Sequence, residues 1–382
     1  MKLINHLKID NFKSLADFSF PLAKFNCLIG LNGAGKTTVL QAIDLVSHIM
    51  TGQVKEWLSE RDWTHSDLVC NCRTQRKQLI TLEVILSLSS AQQVKWEASF
   101  NPKYMRCTSE TVTADGKVVL KVADGMISVA GERAETINFD YQGSVLSQLK
   151  GSILEKSPVL PDLKTFFINI KSLELLSPHR MRQRAREAAD IGIGGEKLSA
   201  FLHNFSEDKL SALLKSLKEY YPRLADIKTS ALRSGWKKLL IHENYTKGGM
   251  ATEARHINDG MLRLLAILAQ TWTDHRFLLF DEIENGINPE LIEKLVQQLL
   301  AAPQQVMVTT HSPMILNYLP DEVAKESVIL LYKTKEGFTR AVRYFDLPET
   351  MDKLKALGPG EVFVDTDLTA LTQQLEQAGM PQ

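Results

Sequence analysis

The chain has 382 residues, 44% hydrophobic and 24% charged, an ordinary globular composition long enough for two or three lobes. Lys plus Arg and Asp plus Glu balance at 45 each, which argues against a protein coated in positive charge for nonspecific nucleic-acid binding and leaves a local basic groove open. The opening Met1 to His6 lacks a signal-peptide core, no apolar run reaches about 18 residues, and the 4 cysteines are too few for a disulfide framework, so a cytoplasmic protein without membrane attachment is expected.

Residues 3–9 and 16–20 place apolar side chains on either side of Asn11-Phe-Lys-Ser14, which predicts a strand pair with a tight connection. Phe25 to Ile29 predicts a buried strand and Thr38 to Ile49 a helix, so the glycine-rich segment between them joins a strand to a helix. Alternation in Leu79 to Leu88, Val94 to Phe100 and Lys117 to Val122, with Asp115-Gly116 and Asp124-Gly125 between such runs, predicts an antiparallel meander over 79–142. Residues 145–170 read as helical, interrupted by Pro158 and Pro161. A helical pair is predicted over 196–221, its second member capped by Ser206 and without sustained heptads. Lys238 to His242, Arg276 to Phe280, Gln305 to Thr310 and Val328 to Tyr332 read as strands, and Met261 to Trp272 as an apolar helix. Leu368 to Gln382 predicts a short amphipathic helix with a frayed end.

Gly30-Leu-Asn32-Gly33-Ala34-Gly35-Lys36-Thr37 matches G-x4-G-K-[ST] in full, with Thr38 continuing into the helix. Its glycines let backbone N–H groups curl around the phosphates of a nucleotide, ATP by expectation, while the helix N-terminus points its dipole at the same anion. Lys36 supplies a point charge and Thr37 a hydroxyl for Mg2+. Phe277-Leu-Leu-Phe-Asp281-Glu282 is an apolar strand ending in two acids. Asp281 suits the Mg2+ coordination sphere, and Glu282 a carboxylate that polarises the attacking water. His311 follows a second apolar strand, where an imidazole can bond the γ-phosphate. Cys70, Cys72 and His65, with Cys107, have the wrong spacing for a zinc knuckle and read as reduced thiols. The run Arg180, Arg182, Arg184, Arg186 beside His179 reads equally as a phosphate-facing patch or as a solvated loop.

Taken in order, the P-loop, Asn258 to Arg263, Asp281-Glu282 and His311, opened by Leu7-Lys-Ile-Asp-Asn-Phe-Lys-Ser-Leu15, resemble the RecF/SMC/OLD-like branch of ABC ATPases. The resemblance implies an α/β ABC-type P-loop ATPase head with a mixed sheet, an inserted antiparallel β lobe and a helical signature lobe, without a long coiled coil. It divides the chain into an N-terminal ATPase lobe at 1–175, a helical insert at 176–255, the second part of the ATPase core at 256–345 and a C-terminal tail at 346–382. It further implies a homodimer or higher assembly that sandwiches two ATPs. Asn258, Asp259 and Gly260, with Arg263 beside them, would then meet the partner's γ-phosphate. Asn258 stands where the family usually has Ser, and can still cap the helix. Gln142 resembles the glutamine that reaches Mg2+, Lys13 the loop that touches nucleotide near the first strand, and Glu284 an acid the branch often keeps.

The same resemblance points to a switch for a partner in antiphage defence or DNA repair. OLD-type relatives carry a Toprim nuclease after the ATPase; here a nuclease or toxin effector is expected as a separate polypeptide, with nucleic acid open as a second partner. Two alternatives stand beside this reading. One is the ATPase subunit of a membrane transporter, disfavoured by the Asn11-Phe-Lys-Ser opening and by Asn258-Asp-Gly in place of Leu-Ser-Gly-Gly-Gln. The other is a non-hydrolysing scaffold, disfavoured by intact Lys36, Asp281, Glu282 and His311.

Overall fold

A computed structural model describes residues 2–88, 92–149, 151–154 and 156–378. Strands β1 (Leu3–Asp10), β2 (Phe18–Pro21) and β3 (Phe25–Ile29) lead into helices α1 (Lys36–Thr51) and α2 (Val54–Ser59). The meander follows as β4 (Ile80–Ser87), β5 (Gln93–Asn101), β6 (Arg106–Ala114), β7 (Lys117–Ala123), β8 (Met126–Val129) and β9 (Glu135–Thr136). Then come α3 (Gly151–Leu154), α4 (Val159–Ile168), β10 (Ile170–Leu173), α5 (Pro178–Met181), α6 (Leu198–His203) and α7 (Glu207–Tyr220). Strands β11 (Leu224–Ala231), β12 (Lys237–Tyr245) and β13 (Gly248–Glu253) precede α8 (Asp259–Thr271), β14 (Phe277–Phe280), α9 (Ile292–Ala301) and β15 (Gln305–Thr309). The chain finishes with α10 (Pro313–Asn317), α11 (Asp321–Ser327), β16 (Val328–Lys333), β17 (Thr339–Arg343), α12 (Pro348–Lys353), α13 (Pro359–Val364) and α14 (Leu368–Ala378).

The central sheet has six strands in the order β10-β14-β15-β3-β16-β17, parallel except at the β16–β17 pair. Strands buried on both faces read as unbroken apolar runs, which is why β14 and β15 show no alternation. Successive side chains nevertheless enter opposite cores. Leu278, Phe280, Val306 and Val308 pack with α8 and α9, whereas Phe277, Leu279 and Met307 pack with α1, α4 and the β lobe.

The hairpin β1–β2 belongs to the meander and not to the central sheet, giving eight strands in the order β2-β1-β4-β5-β6-β7-β8-β9. The insert at 176–255 is not purely helical, because β11, β12 and β13 form a three-stranded antiparallel sheet behind α6 and α7. Pro161 does not interrupt α4. It sits in the first turn, where a backbone N–H has no intrahelical partner to lose. The C-terminal helix is not frayed over its described length, since Leu371 and Leu375 are buried in the core; 379–382 lie outside the described residues.

Candidate functional site

Four parallel strands deliver their carboxyl ends to one edge of the central sheet: β3 runs into the glycine loop, β14 into Asp281-Glu282, β15 into Thr310-His311 and β10 into Glu174. At that edge Asn32, Gly33, Gly35, Lys36, Thr37, Thr38, Asp281, Glu282 and His311 line a single cleft of about 210 Å³. Ala34 is buried behind it, with its carbonyl accepting the Thr339 hydroxyl at 2.9 Å.

The loop is shaped by close approach. Gly35 has a φ of 108°, and a Cβ there would lie 2.4 Å from Thr339 Oγ1, so only glycine fits. Ser14 shares the same hydroxyl at 2.8 Å, which joins the Asn11-Phe-Lys-Ser turn to the back of the glycine loop through β17. Helix α1 starts without a side-chain cap, so its first N–H groups remain available to an anion. Lys36 is buried and folds back to donate to the carbonyls of Gly30 at 2.9 Å and Leu31 at 3.2 Å. Burial lowers its pKa, an effect opposed by the carboxylates of Asp281, Glu282 and Glu284.

Thr37 Oγ1 donates to Asp281 Oδ2 at 2.8 Å, placing a hydroxyl and a carboxylate within one coordination sphere. These are hard oxygen donors of the kind Mg2+ takes, so the residues fit the ion. Glu282 is left-handed at φ 46°, a conformation costing about 1–3 kcal/mol in a non-glycine residue. Its N–H donates to Thr309 Oγ1 at 2.8 Å, and the same hydroxyl donates to Asp281 Oδ1 at 2.5 Å. Thr309 thereby fixes both acids. Glu284 Oε1 accepts the N–H of His311 at 2.9 Å and so holds the loop carrying the imidazole.

The remaining predicted residues lie elsewhere. Lys13 flanks α1: it donates to Gln41 Oε1 at 2.8 Å and stands 3.3 Å above the Trp63 ring, and burial lowers its pKa to about 8. Asn258 caps α8, accepting the Met261 N–H at 2.8 Å. The turn it begins abuts the loop after Glu282, since a Cβ on Gly260 would meet the Gly286 carbonyl oxygen at 2.8 Å. Asp259 pairs with Arg182, and Arg263 donates to the Leu176 carbonyl at 3.0 Å. None of Asn258, Asp259, Gly260 and Arg263 is among the described residues lining the cleft. Gln142 is not brought to it either. Its side-chain oxygen accepts the Lys55 N–H at 3.0 Å, and its carbonyl packs at Gly52, beyond the far end of the 16-residue α1. That end is about 24 Å from Lys36 at 1.5 Å per residue.

Two residues escaped the sequence reading. Thr309 is a hydroxyl at the end of an apolar strand, a faint signal. Glu174 follows β10, whose Leu173 is in register with Phe280, so it stands beside Asp281. It pairs with Arg61, which also binds Asp44 at 2.9 Å, and burial raises its pKa against the guanidinium's pull. The strand that carries it, Ile170-Lys-Ser-Leu173, is half polar and only four residues long, so no apolar run announced it.

Residues 1–49 match the family described as "AAA ATPase domain" and residues 134–317 the family described as "AAA domain, putative AbiEii toxin, Type IV TA system". The chain resembles the head of an SMC protein bound to the C-winged helix domain of ScpA, with a TM-score of 0.57, 15% identity, and coverage of 89% of this chain and 96% of that one. A second SMC head, derived from Pyrococcus furiosus and bound to the C-terminal domain of ScpA, aligns with a TM-score of 0.54 at 13% identity over 90% of this chain and 96% of that one. The chain carries the RecF/SMC/OLD-like ABC-type ATPase fold. An "OLD nuclease" of Thermus scotoductus is 34% identical over 122 residues of this ATPase-fold chain, which are 32% of it and only 21% of that relative. The membrane-transporter alternative draws no support from these matches, and among the described residues no helix is long and apolar enough to cross a membrane.

Proposed function

We propose that this P-loop ATPase domain binds ATP with Mg2+ in the cleft, hydrolyses the γ-phosphate, and uses the cycle to switch a partner. The observation that carries this reading is the convergence of Lys36, Thr37, Asp281, Glu282 and His311 on one cleft. Thr37 and Asp281 would hold Mg2+, which when bound neutralises charge on the β- and γ-oxygens. Lys36 leaves the Gly30 and Leu31 carbonyls for the phosphates and supplies a desolvated positive charge there. Glu282, its backbone pinned by Thr309, takes a proton from the attacking water, and His311 bonds the γ-phosphate.

The signature turn stands apart from the cleft of its own copy, which favours a second copy supplying Asn258, Asp259 and Gly260 across an ATP-bound dimer. The likeness to an OLD nuclease and the toxin named in a matching family favour a nuclease- or toxin-class effector in defence or repair. Glu282→Gln tests the chemistry: ATP affinity stays within about threefold while multiple-turnover phosphate release falls about 100-fold or more, and ATP-bound dimers accumulate in light scattering. Release at the wild-type rate would remove Glu282 from the role of base. Mass spectrometry of co-purifying proteins tests the effector.

A further inference from the structure

The arginine run of residues 180–186 folds into a defined surface. The Lys237 N–H donates to the Ala185 carbonyl at 2.7 Å, zipping this segment to the β11–β12 hairpin as an isolated antiparallel bridge. The hairpin turn, closed by the Leu232 N–H on the Trp236 carbonyl at 2.7 Å, sets Trp236 beside the arginines with 37% of its surface exposed. Arg182, Arg184, Arg255 and Trp236 line an open depression of about 620 Å³ in which Glu253 is the one acid among the described lining residues.

Two features of this depression point to a ligand. Glu253 holds Arg184 and Arg255, each at 2.8 Å, so both guanidiniums are fixed while other N–H donors stay unspent. The pocket therefore concentrates positive charge in a chain whose formal net charge is zero. The Arg186 guanidinium carbon lies 4.9 Å from the Trp236 ring centroid, forming an exposed stack of arginine on indole. Fixed guanidiniums next to an exposed ring suit a phosphodiester chain with an accessible base. Bases in a duplex cover one another's faces, so such a ring selects unpaired ones.

We propose that this depression binds single-stranded nucleic acid, with phosphates on Arg184 and Arg255 and a base stacked against Trp236 and Arg186. Arg182 connects the bound strand to the signature turn, because it donates to the Ile257 carbonyl at 2.8 Å and pairs with Asp259. A phosphate that draws Arg182 away frees the Asp259 carboxylate at the start of α8. The coupling rests on the proposed ATP cycle; the binding does not.

The test titrates the full chain without nucleotide against labelled oligothymidylate, oligouridylate and a duplex, each of about 20 units, at about 50 and about 200 mM salt. A single strand is expected to bind at least about tenfold tighter than the duplex, with Trp236→Ala costing about tenfold and Trp236→Phe under about threefold. Arg184→Gln should flatten the slope of log affinity against log salt by about 0.7. Preference for oligouridylate assigns the strand as RNA and preference for oligothymidylate as DNA; both support the site. Absence of binding, equal duplex affinity, or Trp236→Ala indistinguishable from Trp236→Phe would overturn it. With ATP present, saturating single strand should change turnover by about threefold or more and Arg182→Gln should abolish the response. A response intact in Arg182→Gln overturns the coupling, whereas a chain without any turnover refutes the ATP reading and leaves the binding result standing.

Discussion

Helix α1 ends in two opposite ways, and the contrast separates a ligand site from a structural joint. At its first turn Gly35 leaves the backbone N–H groups without a side-chain cap, in front of Lys36 and Thr37. At its last turn the His48 and Ile49 carbonyls are engaged. Gly52 and Gln53 return their N–H groups to Ile49 and His48 carbonyls, and Ser144 donates to the Ile49 carbonyl at 2.8 Å. Gly143, at φ 70°, lies so close that a Cβ would sit 2.0 Å from that same oxygen. Glu110 secures the strap by accepting the Val145 N–H at 2.6 Å and the Trp96 indole N–H at 3.2 Å. The carboxyl end of a helix presents carbonyl acceptors and the negative end of its dipole, which repel a phosphate, and here those carbonyls are spent on the chain that returns to them.

The largest expected effect lies at the open end. Lys36→Ala removes a buried charge that three carboxylates favour, and ATP affinity by calorimetry should fall about 100- to 1,000-fold while the fold survives. Near-normal affinity would break the comparison, because the uncapped turn would then not be where phosphate binds.

The closed end predicts a stability effect without an activity effect. Burial raises the Glu110 pKa from 4.5 to about 7, so the native state keeps a proton that the unfolded chain releases earlier. Between those values the native state binds more protons at this carboxyl, so its contribution to stability falls as pH rises from about 4.5 to about 7, by about 3 kcal/mol in total. Burial lowers the His275 pKa to about 4, which gives an opposing slope of similar size. The Glu110 contribution is therefore read as the difference between wild type and Glu110→Gln in urea unfolding across pH 4.5–8. A difference that does not change with pH would sink the claim.

Thr309→Val is smaller and returns to the cleft. Leaving the Glu282 N–H and one Asp281 oxygen without their shared hydroxyl should cost about 1–2 kcal/mol, seen as roughly tenfold in kcat with KM little changed. Thr309→Ser should restore the rate, which a mere packing role for the methyl group would not allow.

The sequence announced the cleft wherever a contiguous motif carries its own backbone context. Gly30 to Thr37 and Asp281-Glu282 are such cases, because a strand end dictates where the next residue points. It also revealed the apolar strands and the meander, whose periodicity is local. Thr309 and Glu174 were lost because their meaning comes from neighbouring strands: a lone hydroxyl or acid acquires a partner only through register. The turn at Asn258 was visible through its cap, but Arg182, which binds it, lies in a run whose charges alone could not say what they faced. Position in the order of motifs pointed to Gln142, which lies by Lys55 and Gly52 at the far end of α1, since order along the chain does not fix which end of that helix a returning segment meets.

Gln142 gives the smallest predicted effect and the sharpest discrimination. Its carboxamide spends its oxygen on the Lys55 N–H, and the backbone around it is tied to α1's closed end. Gln142→Ala should therefore leave ATP turnover within about twofold, while costing at most about 1 kcal/mol by urea unfolding for one partly exposed hydrogen bond. A Mg2+-contacting residue would behave in the opposite way, with turnover falling about 100-fold and stability untouched. Should turnover collapse in Gln142→Ala, the two ends of α1 would be coupled by a motion of the strap at 142–147, and the division between open and closed ends would have to be drawn between conformations and not between places.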